Sequence, residues 1–385
     1  MVKISNVFDK IKKDEENKTP PSGQKNTFQS SVAQATKGKT LYFSHPQKEP
    51  HPLKGYFSNV LKLKAKEMEK TNQALPETET CYSMEKEDRI CPVEELERLY
   101  EDILFIIKEL LKEDTDYTSL ETRTIMEKIG NIVDQLTIGN DDLLALALTK
   151  DSVDINYLLC HSVNTCIYSI DIGLGLGYNR SQLIELGASA FLHDIGMKQY
   201  LGLVNRNAVL TPEERNEIKE HTAIGRQILE NINGLSESVI NTVVYHHERI
   251  DGSGYPKGLQ GESISEYAKI VGLVDMYTAM VHPRIYRHAY LATETAKEIM
   301  RNKNAFVYSL LRVLIERIGI FPPGSMVQLN TKETARVIKR NHKFSMSPLV
   351  QVISDADGKP LKENKVLNLA DDLGIHIKGR LPIKT

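Results

Sequence analysis

Seven side chains in the middle of this 385-residue sequence carry the groups that bind divalent metals: His161, His193, Asp194, His221, His246, His247 and Asp275. Imidazole and carboxylate are the donor set of first-row metals such as iron, manganese, zinc and nickel. Two of the seven are adjacent as His193-Asp194 and two as His246-His247. Neighbouring donors suit a carboxylate shared between two ions. Two ions a few ångströms apart clamp a phosphodiester, lower the pKa of a water and stabilise the leaving oxygen. Each residue alone is weak evidence, because a lone histidine is more often a core or surface residue than a ligand. His45, His51, His282, His288, His342 and His376 are assigned to that ordinary class.

These donors must be brought together by the elements that carry them. Residues 151–320 read as helix after helix. One helix spans about Ser181 to Leu192, which puts His193 and Asp194 about 100° apart around a helix axis at the end of the buried run from Ala188 to Leu192. A second opens at Thr211-Pro212-Glu213-Glu214, with Thr at the cap, Pro in the first turn and Glu at the third position, and runs through His221 and Ile224 to about Glu230. A third runs from Ser236 to His246-His247, and a fourth from Ala268 to Met280. Seven donors on five helices converge only in a bundle interior, where bundles build metal sites. Gly173, Gly175 and Gly177 do not make a dinucleotide fingerprint, because no strand precedes them and no helix opens on them.

The flanks differ in texture. Residues 1–70 hold 14 Lys against 7 Asp and Glu, a surplus of +7 in a chain whose net charge is −2. Rich in Pro, Gln, Ser, Thr and Asn, residues 1–91 are expected to be disordered. Within them Val2, Ile4, Val7, Phe8 and Ile11, with Lys10, Lys12 and Lys13, could form a short amphipathic segment for a membrane surface or a partner. Residues 92–150 show the helical three-and-four spacing (Leu96, Leu99, Ile103, Ile106, Ile107, Leu110; then Leu120, Ile125, Ile129, Ile132, Val133, Leu136) and read as an α-helical lead-in that could also mediate a homodimer. After Phe321-Pro322-Pro323-Gly324 come short strand-like runs, Met326 to Leu329, Ala335 to Ile338 and Leu349 to Ile353, with a turn at Asp355-Ala356-Asp357-Gly358, so residues 321–385 read as a small β-rich domain. The fold class is therefore mainly α.

Whole-chain properties exclude several classes. The near-zero net charge provides no global field for a nucleic-acid polymer. No stretch approaches the ~20 apolar residues of a membrane span, and Met1 to Ser5 lack the apolar core of a secretory signal. Cys81, Cys91, Cys160 and Cys166 form neither a zinc spacing nor a dense disulfide pattern. A cytoplasmic protein is expected.

The ordered set resembles the HD-GYP family. The string His246-His247-Glu248-Arg249-Ile250-Asp251-Gly252-Ser253-Gly254-Tyr255-Pro256 matches the signature that gives the family its name. The spacing matches too: 32 positions from His161 to His193, 27 from Asp194 to His221, 25 to His246 and 28 from His247 to Asp275. The closing segment, Asp275 to Met280 with Pro283 to Arg287, is also similar. The resemblance spans about 170 residues and implies an HD-type helical domain that hydrolyses cyclic di-GMP to the linear dinucleotide and on to GMP. It implies that His161, His193, Asp194, His221, His246, His247 and Asp275 ligate two divalent ions, iron or manganese, with Asp194 bridging and Asp194 and His193 indispensable to catalysis. It further implies that Tyr255 and Gly254 meet the substrate and that Arg284 and Arg287 hold its phosphate or guanine, where a guanidinium fork suits both. Gly252 and Gly254 fit a loop that turns tightly and approaches the site closely.

Two departures bear on activity. The family often has Glu four positions before its first ligand histidine; here Tyr157 stands there, which favours two ions over three. Many members have Lys directly after His-Asp-x-Gly; here Met197 stands there and Lys198 follows. These departures keep two alternatives open: a receptor that binds a cyclic dinucleotide without turnover, and a phosphodiesterase for another cyclic dinucleotide.

Overall fold

The computed structural model describes residues 92–381, apart from 120–121, 151–156, 207, 283–289, 291, 303, 342 and 373. The expected disorder and the amphipathic segment of residues 1–91, and the proposed substrate residues Arg284 and Arg287, lie outside the described residues.

Three helices lead in: α1 (Val93–Leu110), α2 (Thr122–Thr137) and α3 (Asp142–Thr149). Their apolar stripes are buried, among them Leu96, Ile103 and Ile107 of α1 and Ile129, Ile132 and Val133 of α2. They pack on α4 (Tyr157–Gly175) and α5 (Arg180–Leu192), so the lead-in shares one continuous core with the helices that follow. The stripes that suggested a dimer contact are thus used within the chain. Phe105, 62% exposed, remains on the outer side of α1.

Helix α4 is buried almost all round, from Leu158 to Gly173, as expected of a central helix. After α5 and a short 3₁₀ segment (Ile195–Tyr200) come α6 (Leu201–Val204), α7 (Pro212–Ile218), α8 (His221–Leu229), α9 (Glu237–Tyr245), α10 (Glu266–Val281), α11 (Ala292–Arg301) and α12 (Tyr308–Ile318). The Thr211 signal is a true capping box: the Glu214 backbone N–H donates to Thr211 Oγ1 at 3.2 Å, and the Thr211 N–H donates to Glu214 Oε2 at 2.8 Å. The helix it starts is shorter than expected. Lys219 and Glu220 tighten to i→i−3 hydrogen bonds, which ends α7 and begins α8 at His221.

Five antiparallel strands follow, β1 (Met326–Leu329), β2 (Thr334–Lys339), β3 (Leu349–Ser354), β4 (Pro360–Asn368) and β5 (Ile377–Arg380), in the order β4-β3-β2-β1-β5. Val327, Leu329, Ala335, Val337, Val350 and Val352 alternate inward and form its core. The two edge strands escape sequence reading because they lack alternation: β4 is largely exposed and β5 has a single apolar residue, Ile377.

Among the described residues, no helix is long and apolar enough to cross a membrane.

Candidate metal centre

Five helices bring the seven donors together, but most donors stand at helix ends. His161 lies in the first turns of α4 and Asp275 within α10. His221 opens α8. His193 caps the C-terminus of α5 with φ and ψ still helical, and Asp194 leaves it, with φ −102° and ψ 16°, into the 3₁₀ segment. His246 occupies the equivalent end of α9. The expectation that His193 and Asp194 stay 100° apart on one helix is therefore corrected. The helix ends between them, and the side chain of Asp194 turns toward donors from both sides.

Asp194 belongs to two sets of converging donor atoms, one with His161 and His193 and one with His221, His246 and His247, each set lying within 4.8 Å. Its Oδ2 is 3.4 Å from His193 Nε2 and 3.8 Å from His161 Nε2; its Oδ1 is 3.4 Å from His221 Nε2 and 3.8 Å from His246 Nε2. Asp275 closes the ring, 3.0 Å from His161 Nε2, 3.8 Å from His247 Nδ1 and 3.9 Å from His193 Nε2.

Backbone chemistry aims the imidazoles. His193, His221 and His246 each donate from Nδ1–H at 2.7 Å to a carbonyl three residues back, that of Ala190, Ile218 and Val243 respectively. A carbonyl only accepts, so Nδ1 carries the proton and Nε2 faces the cluster. His193 Nε2 is buried and has no hydrogen-bond partner. An orphaned buried nitrogen is costly, and the donor set around it fits a divalent cation. Solvent reaches part of the cluster: the side chains of Asp194 and Asp275 are 13% exposed and that of His247 is 19%, whereas His193 and His246 are at 0%.

The electrostatics agree with a metal-ready set. Burial, reinforced by the neighbouring His193 and His221, pushes His246 down to about 3. Burial and His246 likewise push His247 down. Both are neutral and able to ligate at pH 7. Burial alone would also lower His193, but the carboxylate of Asp194, with Asp275 behind it, lifts it to about 9. For Asp194 burial pulls upward and is outweighed by His193, His221 and His161, which hold the carboxyl well below its usual range. Asp275 is lowered in the same way, against burial, by the bond from His161 and by the charge of His247.

Tyr255 sits at the mouth. Its ring stacks on His247 at 4.6 Å between centroids and lies edge-on to His221 at 6.4 Å. Gly254 is explained by packing: a Cβ there would stand 2.4 Å from both the Arg249 nitrogen and the His247 oxygen, so the loop lies directly on the backbone of the His-His-Glu segment. Gly252 needs its freedom, at φ +81°. Tyr157 stacks on the His161 ring at 5.3 Å and offers no carboxylate. Met197 is buried, and Lys198 turns outward, donating to Tyr117 Oη at 3.1 Å. Lys198 does not reach the cluster.

Several positioning residues were not singled out from sequence. Gly196 lets the segment after His193-Asp194 touch α8, since a Cβ there would be 1.9 Å from the His221 oxygen. Gly272 does the same between α10 and α9, with 2.1 Å to the His246 oxygen. Glu248, buried, ties down the Gly-Tyr-Pro loop by accepting from the backbone N–H of Lys257 at 2.7 Å and of Leu259 at 2.8 Å. Only its place in the signature string hinted at this. His282, assigned to the ordinary class, is buried between Ala147 and Thr278 carbonyls as a structural group.

Comparison with known proteins agrees with this reading of the fold. Residues 151–308 match the HD domain family and residues 326–384 match the KOW domain associated with HD domain. A cyclic di-GMP phosphodiesterase of Pseudomonas aeruginosa is 30% identical over 228 residues, 59% of this chain and 55% of the relative. Another cyclic di-GMP phosphodiesterase, of Borreliella burgdorferi, is 30% identical over 212 residues, 54% of this chain and 55% of the relative. A 3'3'-cGAMP-specific phosphodiesterase of Vibrio cholerae is 26% identical over 210 residues, 52% of this chain and 48% of the relative. The chain thus spans about half the length of these curated relatives.

Proposed function

We propose that this chain, whose residues 151–308 match the HD domain family, carries an HD domain of the HD-GYP type and is a metal-dependent phosphodiesterase that hydrolyses cyclic di-GMP to the linear dinucleotide and on to GMP. The observation that carries the reading is the position of Asp194, whose two oxygens face two separate sets of imidazoles. A carboxylate so placed could be shared by two cations. His161 and His193 would hold one, and His221, His246 and His247 the other, with Asp275 within reach of both sets. Iron or manganese suits this donor set and its oxygen-rich bridge.

When bound, the two ions supply Lewis-acid and water-activating chemistry at a phosphodiester. The protein's own residues do the rest. The Nδ1 bonds of His193, His221 and His246 lock each ring, so no reorganisation is needed as the substrate arrives. Tyr255, held on His247, forms a wall against which the dinucleotide is positioned. Arg284 and Arg287 remain part of the proposal as phosphate or guanine contacts.

The test is turnover of cyclic di-GMP by anaerobically purified full-length protein, with metal quantified on the same sample. Linear dinucleotide or GMP with about two ions per chain is the expected result. Bound metal without product would favour the receptor reading, for which Met197 and the outward Lys198 are the supporting observation. Turnover of a mixed cyclic dinucleotide in preference to cyclic di-GMP would move the substrate within the class. Any self-association through residues 92–150 would use the outer face at Phe105, because the inner stripes are buried.

A further inference from the structure

A cyclic dinucleotide carries two phosphodiesters, and a binuclear centre engages the one being cleaved. The other lies outside the centre, where further cations of the chain can meet it. Four cations carried by the segments that bear or follow the cluster residues differ in where their charge goes. Lys198 is turned to Tyr117, its Nζ 3.1 Å from the hydroxyl. Lys257 is bound to Tyr245 Oη at 2.8 Å. Arg249 is buried behind the site, donating to the His246 and Glu248 carbonyls at 2.9 and 2.8 Å with its guanidinium over Phe306. The fourth is Lys219, exposed, in the tightened turn that separates α7 from α8, with Nζ 5.6 Å from the centre of the Tyr255 ring.

We propose that Lys219 binds the phosphate of the cyclic dinucleotide that is not being cleaved, and so favours substrates with two phosphates over those with one. This rests on the function proposed above. The path from cluster to solvent runs from His247 to the Tyr255 ring stacked on it and then to Lys219. Lys219 is two residues from His221, so its backbone is fixed by the same turn that delivers a cluster histidine. Its polar partner is the neutral Asn216 Oδ1 at 3.2 Å, which leaves the ammonium charge uncompensated by a carboxylate there. The Tyr255 face holds the ammonium near the mouth without neutralising it. A mobile, strongly hydrated point charge suits a phosphate that swings in with the ring of a macrocycle.

The experiment uses metal-loaded full-length protein, Lys219→Ala and Lys219→Arg. It measures cyclic di-GMP binding and KM, the same KM for bis(p-nitrophenyl) phosphate, which has one phosphodiester, and metal content. Lys219→Ala is expected to weaken binding and raise KM for cyclic di-GMP about tenfold, with Lys219→Arg retaining most of the affinity. The preference for cyclic di-GMP over the single-phosphate substrate should fall by the same factor, at wild-type metal content. An unchanged KM and binding constant in Lys219→Ala overturns the proposal. So does an equal loss on both substrates, or a loss of metal in both variants, because each makes Lys219 a support for His221 instead. Wild-type protein that hydrolyses bis(p-nitrophenyl) phosphate but neither binds nor cleaves a cyclic dinucleotide sinks the proposed function itself, and this inference with it.

Discussion

Among the described residues, two clusters of ionisable groups are buried and built on opposite plans. At the junction of the helices and the sheet, Arg340 of the β2–β3 connection enters between Asp141 and Asp171. It donates to Asp141 Oδ1 from Nε at 3.0 Å and from NH2 at 2.7 Å, and to Asp171 Oδ2 at 2.6 Å. Arg317 donates to the other Asp171 oxygen at 2.5 Å. Two guanidinium groups meet two carboxylates, and every carboxylate oxygen accepts a hydrogen bond, Asp141 Oδ2 from the Arg340 backbone N–H at 2.7 Å, while Arg317 Nε is buried without a partner. The centre around Asp194 has two carboxylates, five imidazoles and no guanidinium within it, and a buried imidazole nitrogen stays unpartnered. The first cluster pairs each carboxylate with a guanidinium of the chain. The second sets two carboxylates among imidazoles with no fixed cation between them, a donor set that suits a bound cation, and that contrast separates a structural ion cluster from a candidate metal centre more firmly than burial or composition does.

The comparison breaks most decisively if the Asp194 cluster does not depend on metal. His193→Ala with Asp194→Ala is expected to abolish both metal uptake and turnover, read by metal analysis and a cyclic di-GMP assay on one sample. Retained turnover in the metal-loaded double variant would refute the site. Chelation offers a physical counterpart. A ligand at 100 times its Kd stabilises the fold that binds it by about 2.7 kcal/mol, so chelation should lower the thermal midpoint of the wild type and leave that of the double variant in place.

The closed cluster predicts the opposite pattern. Arg340→Met leaves Asp141 without its cation and Asp171 with Arg317 alone. Removing one partner of a buried pair costs about 3–5 kcal/mol, measurable by denaturant unfolding, while the folded fraction keeps its metal. Adding Asp141→Asn should recover most of the loss, because Asp171 keeps Arg317 and no unpaired carboxylate then remains buried. A single substitution that costs under about 1 kcal/mol, in the range of exposed pairs, would mean that the cluster does not pin the sheet to the helices.

A smaller effect is expected where glycines set the spacing of the centre. Gly272→Ala would drive a Cβ to 2.1 Å from the His246 oxygen, and Gly196→Ala to 1.9 Å from that of His221. Both obstacles are backbone, so the helices must separate, at a cost of about 1–3 kcal/mol and with weaker metal retention. Gly202→Ala, with nothing within 4 Å, is the control and should lose neither stability nor metal.

Much of the centre was legible in sequence because its chemistry is carried by residue type and order. His161, His193, Asp194, His221, His246, His247 and Asp275 all reach one cluster, and Thr211 caps the helix it was expected to cap. What escaped is what depends on backbone path. The break at Lys219-Glu220 has no Pro or Gly to announce it. Nothing in a string tells that Gly196 and Gly272 face carbonyls of other helices. The packing of the lead-in was not legible for a related reason: periodicity shows that a helix has an apolar face, not which partner covers it, and here the partner is α4 and α5 of the same chain. The Arg340 cluster joins residues 199 positions apart, a range no local pattern reaches.

The mildest prediction follows from the proton that the metal-free centre holds. His193 is lifted from its ordinary 6.5 to about 9 by Asp194 and Asp275 against the pull of burial. The metal-free protein is therefore expected to hold a proton on His193 below pH 9, and its charge attraction to Asp194, 3.4 Å away without a hydrogen bond, adds stability that is full below about 6.5 and is lost as pH rises toward 9. A cation can occupy that position only by displacing the proton. The apparent metal affinity should then rise about tenfold per pH unit, or about 1.4 kcal/mol, between pH 6.5 and 9, and flatten above. His246, lowered to about 3, and His247, lowered in the same direction, are already neutral across this window and contribute no slope. Calorimetric titration of the apo-protein with Mn²⁺ in buffers of different ionisation enthalpy counts the proton directly. Release of close to one proton per chain at pH 7.5 is expected. No release would mean that His193 Nε2 already offers its lone pair at neutral pH, and that Asp194 is balanced by the other histidines of the ring.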